Sequence, residues 1–268
     1  MLDFVYEQLA ARIERVRETS RSTCMKPDEE GIHQLRVSIR RLTEAVRSLD
    51  KWVKPKAAAK LRGRLRPVMK AAGETRNLDI AMELCHDSAI PIATQVAHEL
   101  GTLRVEAAHR LIERLLALDT AKLLPPCEPN PERPAARTMA AELIPSLVSP
   151  YWEAGDDAAK PGAAWDDLHK FRLATKHLRY TVELFASLYG PAAQTKLDVL
   201  KRVQTHLGRV NDCHTARGLE QVSGCAELDD WIAALQSNER DKFLKVWARE
   251  RDRSKGGAGW VRYFSRAR

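Results

Sequence analysis

Two segments of this chain carry cations at the spacing of a helix face. The first holds His33, Arg36, Arg40, Arg41 and Arg47; the second holds His169, Arg172, Lys176 and Arg179. At about 100° per residue, His33, Arg36, Arg40 and Arg47 fall within roughly 60° of one another, while Leu35, Ile39, Leu42, Val46 and Leu49 fall on the opposite side. The second segment divides in the same way, with Phe171, Leu178, Val182 and Phe185 opposite its cations. A guanidinium holds two phosphate oxygens at once and keeps its charge at any working pH, and a lysine adds a mobile point charge. A cationic helix face of this kind points to a polyanionic partner. Each segment also sets a cationic stripe back to back with a core-facing one.

The pattern is duplicated. His33 and His169 lie 136 residues apart, about half of the 268-residue chain. Each basic segment is followed by a second matching one, Leu65-Arg66 through Gly73 and Arg76-Asn77, then Leu200-Lys201 through Gly208 and Asn211-Asp212. Such self-similarity marks a repeated structural unit. Lys56, Arg66 and Lys70 face away from Leu61, Leu65, Val68 and Met69, and in the second half Lys201 occupies the position equivalent to Arg66. If the two basic helices of each half are neighbours, their stripes combine into one groove.

The charge is local. Residues 31–80 hold 13 Lys or Arg against 4 Asp or Glu, and residues 165–217 hold 9 against 5. These windows carry +9 and +4 of a net +8, leaving the rest of the chain acidic. Concentration of charge points to an anionic partner more strongly than a basic total does. A solvated helix face normally mixes signs at spacings of three and four, whereas here only Glu44 and Glu183 interrupt the stripes. Asp28, Glu29, Glu30, Asp166 and Asp167 sit at helix starts, where carboxylates complement the helix dipole, and are read as caps.

Apolar residues return every three or four positions nearly throughout, and no run alternates in the manner of a strand, so the expected fold class is all-α. Helices are expected near 2–20, 29–50, 56–75 and 78–118, with a break around Pro91. Further ones are expected near 135–154, 166–189, 191–208 and 211–249, with a break around Gly224. Pro67 should bend or end its helix locally. Residues 125–134, with prolines at 125, 126, 129, 131 and 134, cannot be helical and form the joint between a first repeat (1–124) and a second (135–250). Residues 251–268, basic and with Gly256, Gly257 and Gly259, read as a solvated tail. The tryptophans, Trp52, Trp152, Trp165, Trp231 and Trp247 among them, are packing residues. Five cysteines without paired spacing favour neither a disulfide framework nor a zinc knuckle. No apolar run approaches the roughly 18 residues of a membrane span, which suits a cytoplasmic protein without membrane insertion.

On these residues the chain resembles the CHAD family, α-helical domains named for their histidines and known as polyphosphate-binding modules. The likeness rests on His33 with Arg36, Arg40 and Arg41, on His169 with Arg172, Lys176, Arg179 and Tyr180, and on the segments ending in Gly73 with Arg76-Asn77 and in Gly208 with Asn211-Asp212. It covers residues from about 3 to about 250. Asn77 stands where the family usually has Asp, and His177 interrupts what is usually a basic pair. The resemblance implies two antiparallel four-helix bundles, pseudo-twofold related around a central basic cavity that holds inorganic polyphosphate. Carried over by position, the contacts are His33, Arg36, Arg40, Arg41, Arg66, His169, Arg172, Lys176, Arg179 and Lys201; Arg47, Lys56, Lys70 and Arg202 extend the stripes. It also implies a standalone module associated with polyphosphate granules.

Three other chemistries fit less well. Binders of single-stranded nucleic acid stack bases on aromatic side chains, but aromatics are 6% of the chain and the stripes contain Tyr180 and no Trp, so nucleic acid should bind only weakly or non-specifically. A phosphatase could use His33 or His169 with an arginine clamp, yet it also needs carboxylates, and the stripes offer Glu44 and Glu183 alone. His86-Asp87 resembles a phosphohydrolase metal dipeptide without its accompanying ligands. The histidines His33, His169, His177, His206 and His214 are scattered or set among cations that repel a metal ion. No catalytic residue, metal site or cofactor is expected.

Overall fold

The structure, a computed structural model, describes residues 3–254 and 257–266; residues 1, 2, 255, 256, 267 and 268, Gly256 among them, lie outside it. The described residues form helices and short turns without a strand. The helices are α1 (Phe4–Met25), α2 (Glu29–Ser48), α3 (Pro55–Asp87), α4 (Ala93–Leu116), α5 (Ala136–Ala158), α6 (Trp165–Leu184), α7 (Ala192–Arg217), α8 (Glu220–Ser223), α9 (Ala226–Ser254) and α10 (Ala258–Phe264). They divide into two compact units, one of Met1–Pro131 with Asp212–Leu235, the other of Glu132–Asn211 with Gln236–Arg268.

In the first unit α1 packs on α2, α2 on α3, α3 on α4, and α4 back on α1, which closes a four-helix bundle. Its core is the apolar stripe of each helix, including Leu9 and Ile13 of α1, Leu35, Ile39 and Leu42 of α2, and Leu61, Leu65 and Val68 of α3, all buried. The stripe of α3 does not stop at residue 75. Leu78, Ala81 and Leu84 continue it into a second cluster with Leu100, Val222, Leu228 and Ile232. That burial makes α3 one helix of 33 residues where two were expected. Pro67 does not end it: Pro67 and Gly63, whose carbonyl loses its partner, are both exposed, so water can satisfy that oxygen. The break expected around Gly224 lies between α8 and α9; a further break falls at Gly218, and α7 runs past residue 208 to Arg217.

The non-helical stretch after α4 lies on the first unit. The Lys54 amide donates to the Pro126 carbonyl at 2.7 Å, the Asn130 amide donates to Asp3 Oδ2 at 2.8 Å, and Cys127 is buried.

The second unit has an aromatic core. Tyr151, Trp152, Phe171, Phe243, Trp247, Trp260 and Phe264 are all buried, and Trp152 and Trp247 lie 4.7 Å apart between ring centroids. Gly155 of α5 permits this packing, because a Cβ there would lie 2.2 Å from the Trp247 ring. Two core aromatics come from α10, which packs on α5, so residues 258–264 are not the solvated tail expected of them. The reason is Gly257, at φ +92°, which turns the chain in the left-handed region where it passes Trp152 with no space for a side chain. Trp260 and Phe264, four residues apart, then share the buried face of α10.

Candidate anion-binding site

The start of α2 is fixed by Asp28, whose carboxylate accepts from the Gly31 amide at 2.8 Å, with Glu29 and Glu30 in the first turn. Burying Ile32, Leu35, Ile39, Leu42 and Val46 turns the cationic stripe outward. His33, Arg41 and Arg47 are exposed; Arg36 and Arg40 are half-buried. Arg47 lies 3.9 Å from Glu44, one turn back.

Helix α3 supplies the facing wall. Gly73 lies so close to α2 that a Cβ built on it would be 2.9 Å from Arg36 Nη1: the guanidinium occupies the space a side chain would take. One turn on, Arg76 is held by Glu29 at the head of α2 and lies 3.9 Å from Glu83, with 18% of its side chain exposed. Partial burial, with the nearby charge of Arg76, holds the His33 imidazole below the usual histidine range; Glu30 opposes this, while Arg40 and Arg36 add to it. His33, Arg36, Arg40 and Arg76 thus form one cluster, with Arg36 seated on Gly73 and Arg76 paired with Glu29. Arg76 belongs to the motif read in the sequence but not to the contacts assigned there. Its signal was its place one helical turn after Gly73 in that motif. Lys56, Arg66 and Lys70 are exposed on earlier turns of α3, and Lys70 lies 4.0 Å from Glu74.

In the second unit, Asp167 accepts from the Ala164 amide at 3.2 Å and starts α6, which buries Phe171, Leu178 and Val182, followed by Phe185. The cations here are more enclosed. Lys176 is buried at 9% exposure and Arg172 is half-buried. Arg179 has Glu183 Oε1 3.0 Å from its Nε, off the N–H direction, and its guanidinium lies 4.9 Å from the centre of the Tyr180 ring. The His169 ring is 6.1 Å from that of Trp165, which places an indole beside a stripe read as free of tryptophan. Lys201 is 3.6 Å from Asp198, and Arg202 donates to the nearly buried Glu250 at 3.1 Å. Gly208, the counterpart of Gly73, has nothing within 4 Å of a built Cβ. The second unit therefore does not repeat the Arg36–Gly73 contact at Gly208. Further along α7, His206 lies 2.8 Å from Glu239, which also accepts from Lys242 at 2.7 Å.

These side chains are suited to holding phosphate oxygens by charge-assisted hydrogen bonds. Among the described residues, no group of three or more His, Cys, Asp or Glu is placed to hold a metal ion. The family model for the CHAD domain matches residues 7–221. The chain belongs to the CHAD family. Two solved structures share the fold. The CHAD domain from the plant Ricinus communis is 21% identical, with a TM-score of 0.64 over 97% of this chain and 90% of that one. PptA from Streptomyces chartreusis is 15% identical, with a TM-score of 0.63 over 97% of this chain and 99% of that one. No curated protein matches the chain. No helix among the described residues is long and apolar enough to cross a membrane.

Proposed function

We propose that this CHAD protein binds inorganic polyphosphate through the cations of α2 and α3 in one unit and of α6 and α7 in the other, and does not catalyse a reaction on it. The observation that carries this reading is the Arg36 guanidinium seated on Gly73 beside His33, Arg40 and Arg76. Guanidiniums beside a protonatable imidazole suit successive phosphate oxygens, and a phosphate chain meets them without the base-stacking surface a nucleic acid uses. Glu29 and Glu83, the carboxylates closest to Arg76, are engaged with its guanidinium, which leaves an arrangement that holds phosphate rather than activates a nucleophile. Five free thiols suit a reducing cytoplasm, where polyphosphate granules would be the protein's place of work.

The test is a titration with polyphosphate in parallel with single-stranded and duplex DNA of matched charge, at about 150 mM salt, where weak screened contacts fade. Tight binding to polyphosphate alone, weakened at least tenfold by Arg36→Ala with Arg40→Ala, is expected. Equal binding to all three polymers would overturn the reading.

A further inference from the structure

The second unit contains a cavity of about 490 Å³ at its α10 end, lined by none of the cations assigned above. Tyr189 and Gly190, just before α7, line one side, and Gly259, Arg262, Tyr263 and Arg266 line the other. None of its lining residues is acidic. The two tyrosine rings lie 5.8 Å apart between centroids, and both are fixed by their hydroxyls: Tyr189 donates to the Phe264 carbonyl at 2.9 Å and Tyr263 to the Gly190 carbonyl at 3.3 Å. Burial, aided by Tyr263, pushes the Tyr189 phenol up to about 12, so it stays a donor at any working pH. The ammonium of Lys196 lies 4.1 Å from the centre of the Tyr263 ring. The cavity is thus preformed, walled by aromatic rings and rimmed by arginines four residues apart. Gly190 and Gly259 keep it open: a Cβ on either meets nothing within 4 Å.

We propose that this cavity binds a nucleoside phosphate, its planar base against Tyr189 and Tyr263 and its phosphates on Arg262 and Arg266. The volume falls in the range of small-ligand sites. Aromatic faces suit a heterocycle and the guanidiniums suit successive phosphates. A bare phosphate chain would make no use of the tyrosine surfaces that line the cavity, and a neutral aromatic would make none of the arginines; a nucleoside diphosphate engages both. The proposal does not depend on polyphosphate binding at α2 and α3.

The test is calorimetric titration of the full chain with ADP, with pyrophosphate and with adenosine. One ADP per chain is expected, bound at least tenfold more tightly than either fragment. Arg262→Glu with Arg266→Glu should abolish it, and Gly259→Leu, which fills open space on a helix and leaves folding intact by circular dichroism, should weaken it at least tenfold. Arg36→Ala with Arg40→Ala should leave it unchanged. ADP binding that survives Gly259→Leu, that is lost with Arg36 and Arg40, or that pyrophosphate matches would overturn the proposal, as would no binding at all.

Discussion

At residue 73 a methyl group would come within 2.9 Å of Arg36 Nη1, so Gly73→Ala must displace the tip of the arginine at the centre of the α2–α3 cluster. That tip is flexible and moves cheaply, while alanine inside a helix gains roughly 0.5–1 kcal/mol over glycine. The expected result is an unchanged or slightly raised Tm together with polyphosphate affinity several-fold weaker. Gly208→Ala meets no neighbour and should raise Tm with affinity unchanged. Equal affinities for the two variants would show that Arg36 need not sit where it does. His33 gives a second prediction. Its folded-state pKa is lowered, mainly by partial burial and then by Arg76, so the unfolded chain binds the proton more tightly. The stability of the free protein linked to His33 is therefore intact above the ordinary histidine value near 6.5 and is lost as pH falls from there through the lowered native value. A bound phosphate chain reverses the local field, so polyphosphate affinity should rise, roughly two- to tenfold, between pH 8 and pH 6 at fixed ionic strength. In His33→Gln the rise should be smaller, with His169 still present in the second unit. The stripe of α2 was legible because its outward face follows from the 100° arithmetic alone. The Arg36–Gly73 contact and the near-burial of Lys176 were not, because they depend on which helix covers which turn.

At the scale of elements, α10 shows where local composition misleads. Glycines among arginines and a lysine read as a solvated tail, yet Gly257 supplies a left-handed turn against Trp152, and Trp260 and Phe264 repeat at helical spacing. The spacing was present in the sequence; what it packs against was not. The continuity of α3 is similar. Pro67 signalled a bend or an end, but its exposed position and the apolar stripe from Leu78 to Leu84 carry the helix to Asp87. Phe264 has no exposed surface, so Phe264→Ala should cost about 3–5 kcal/mol of stability, comparable with core Phe truncations elsewhere. Urea unfolding followed by tryptophan fluorescence measures it directly. A loss below about 1 kcal/mol, the usual range of surface substitutions, would mean that α10 is not part of the core of the second unit.

For the whole molecule the question is whether polyphosphate responds to net charge or to placed charge. The chain carries +8 overall, but residues 31–80 alone carry +9, so the two alternatives predict different salt dependences. When a cation neutralises a phosphate on a single strand, counterion release contributes about −0.7 to the slope of log K against log salt. Arg36→Gln with Arg40→Gln removes two such contacts and should flatten the slope by about 1.4. Arg15→Gln with Arg21→Gln removes the same net charge from exposed positions on α1, outside the cluster, and should leave the slope nearly unchanged. If both pairs flatten the slope equally, the protein attracts polyphosphate through its total charge and the α2–α3 cluster has no special standing. If only the first does, the cations over Gly73 are the ones that hold the chain.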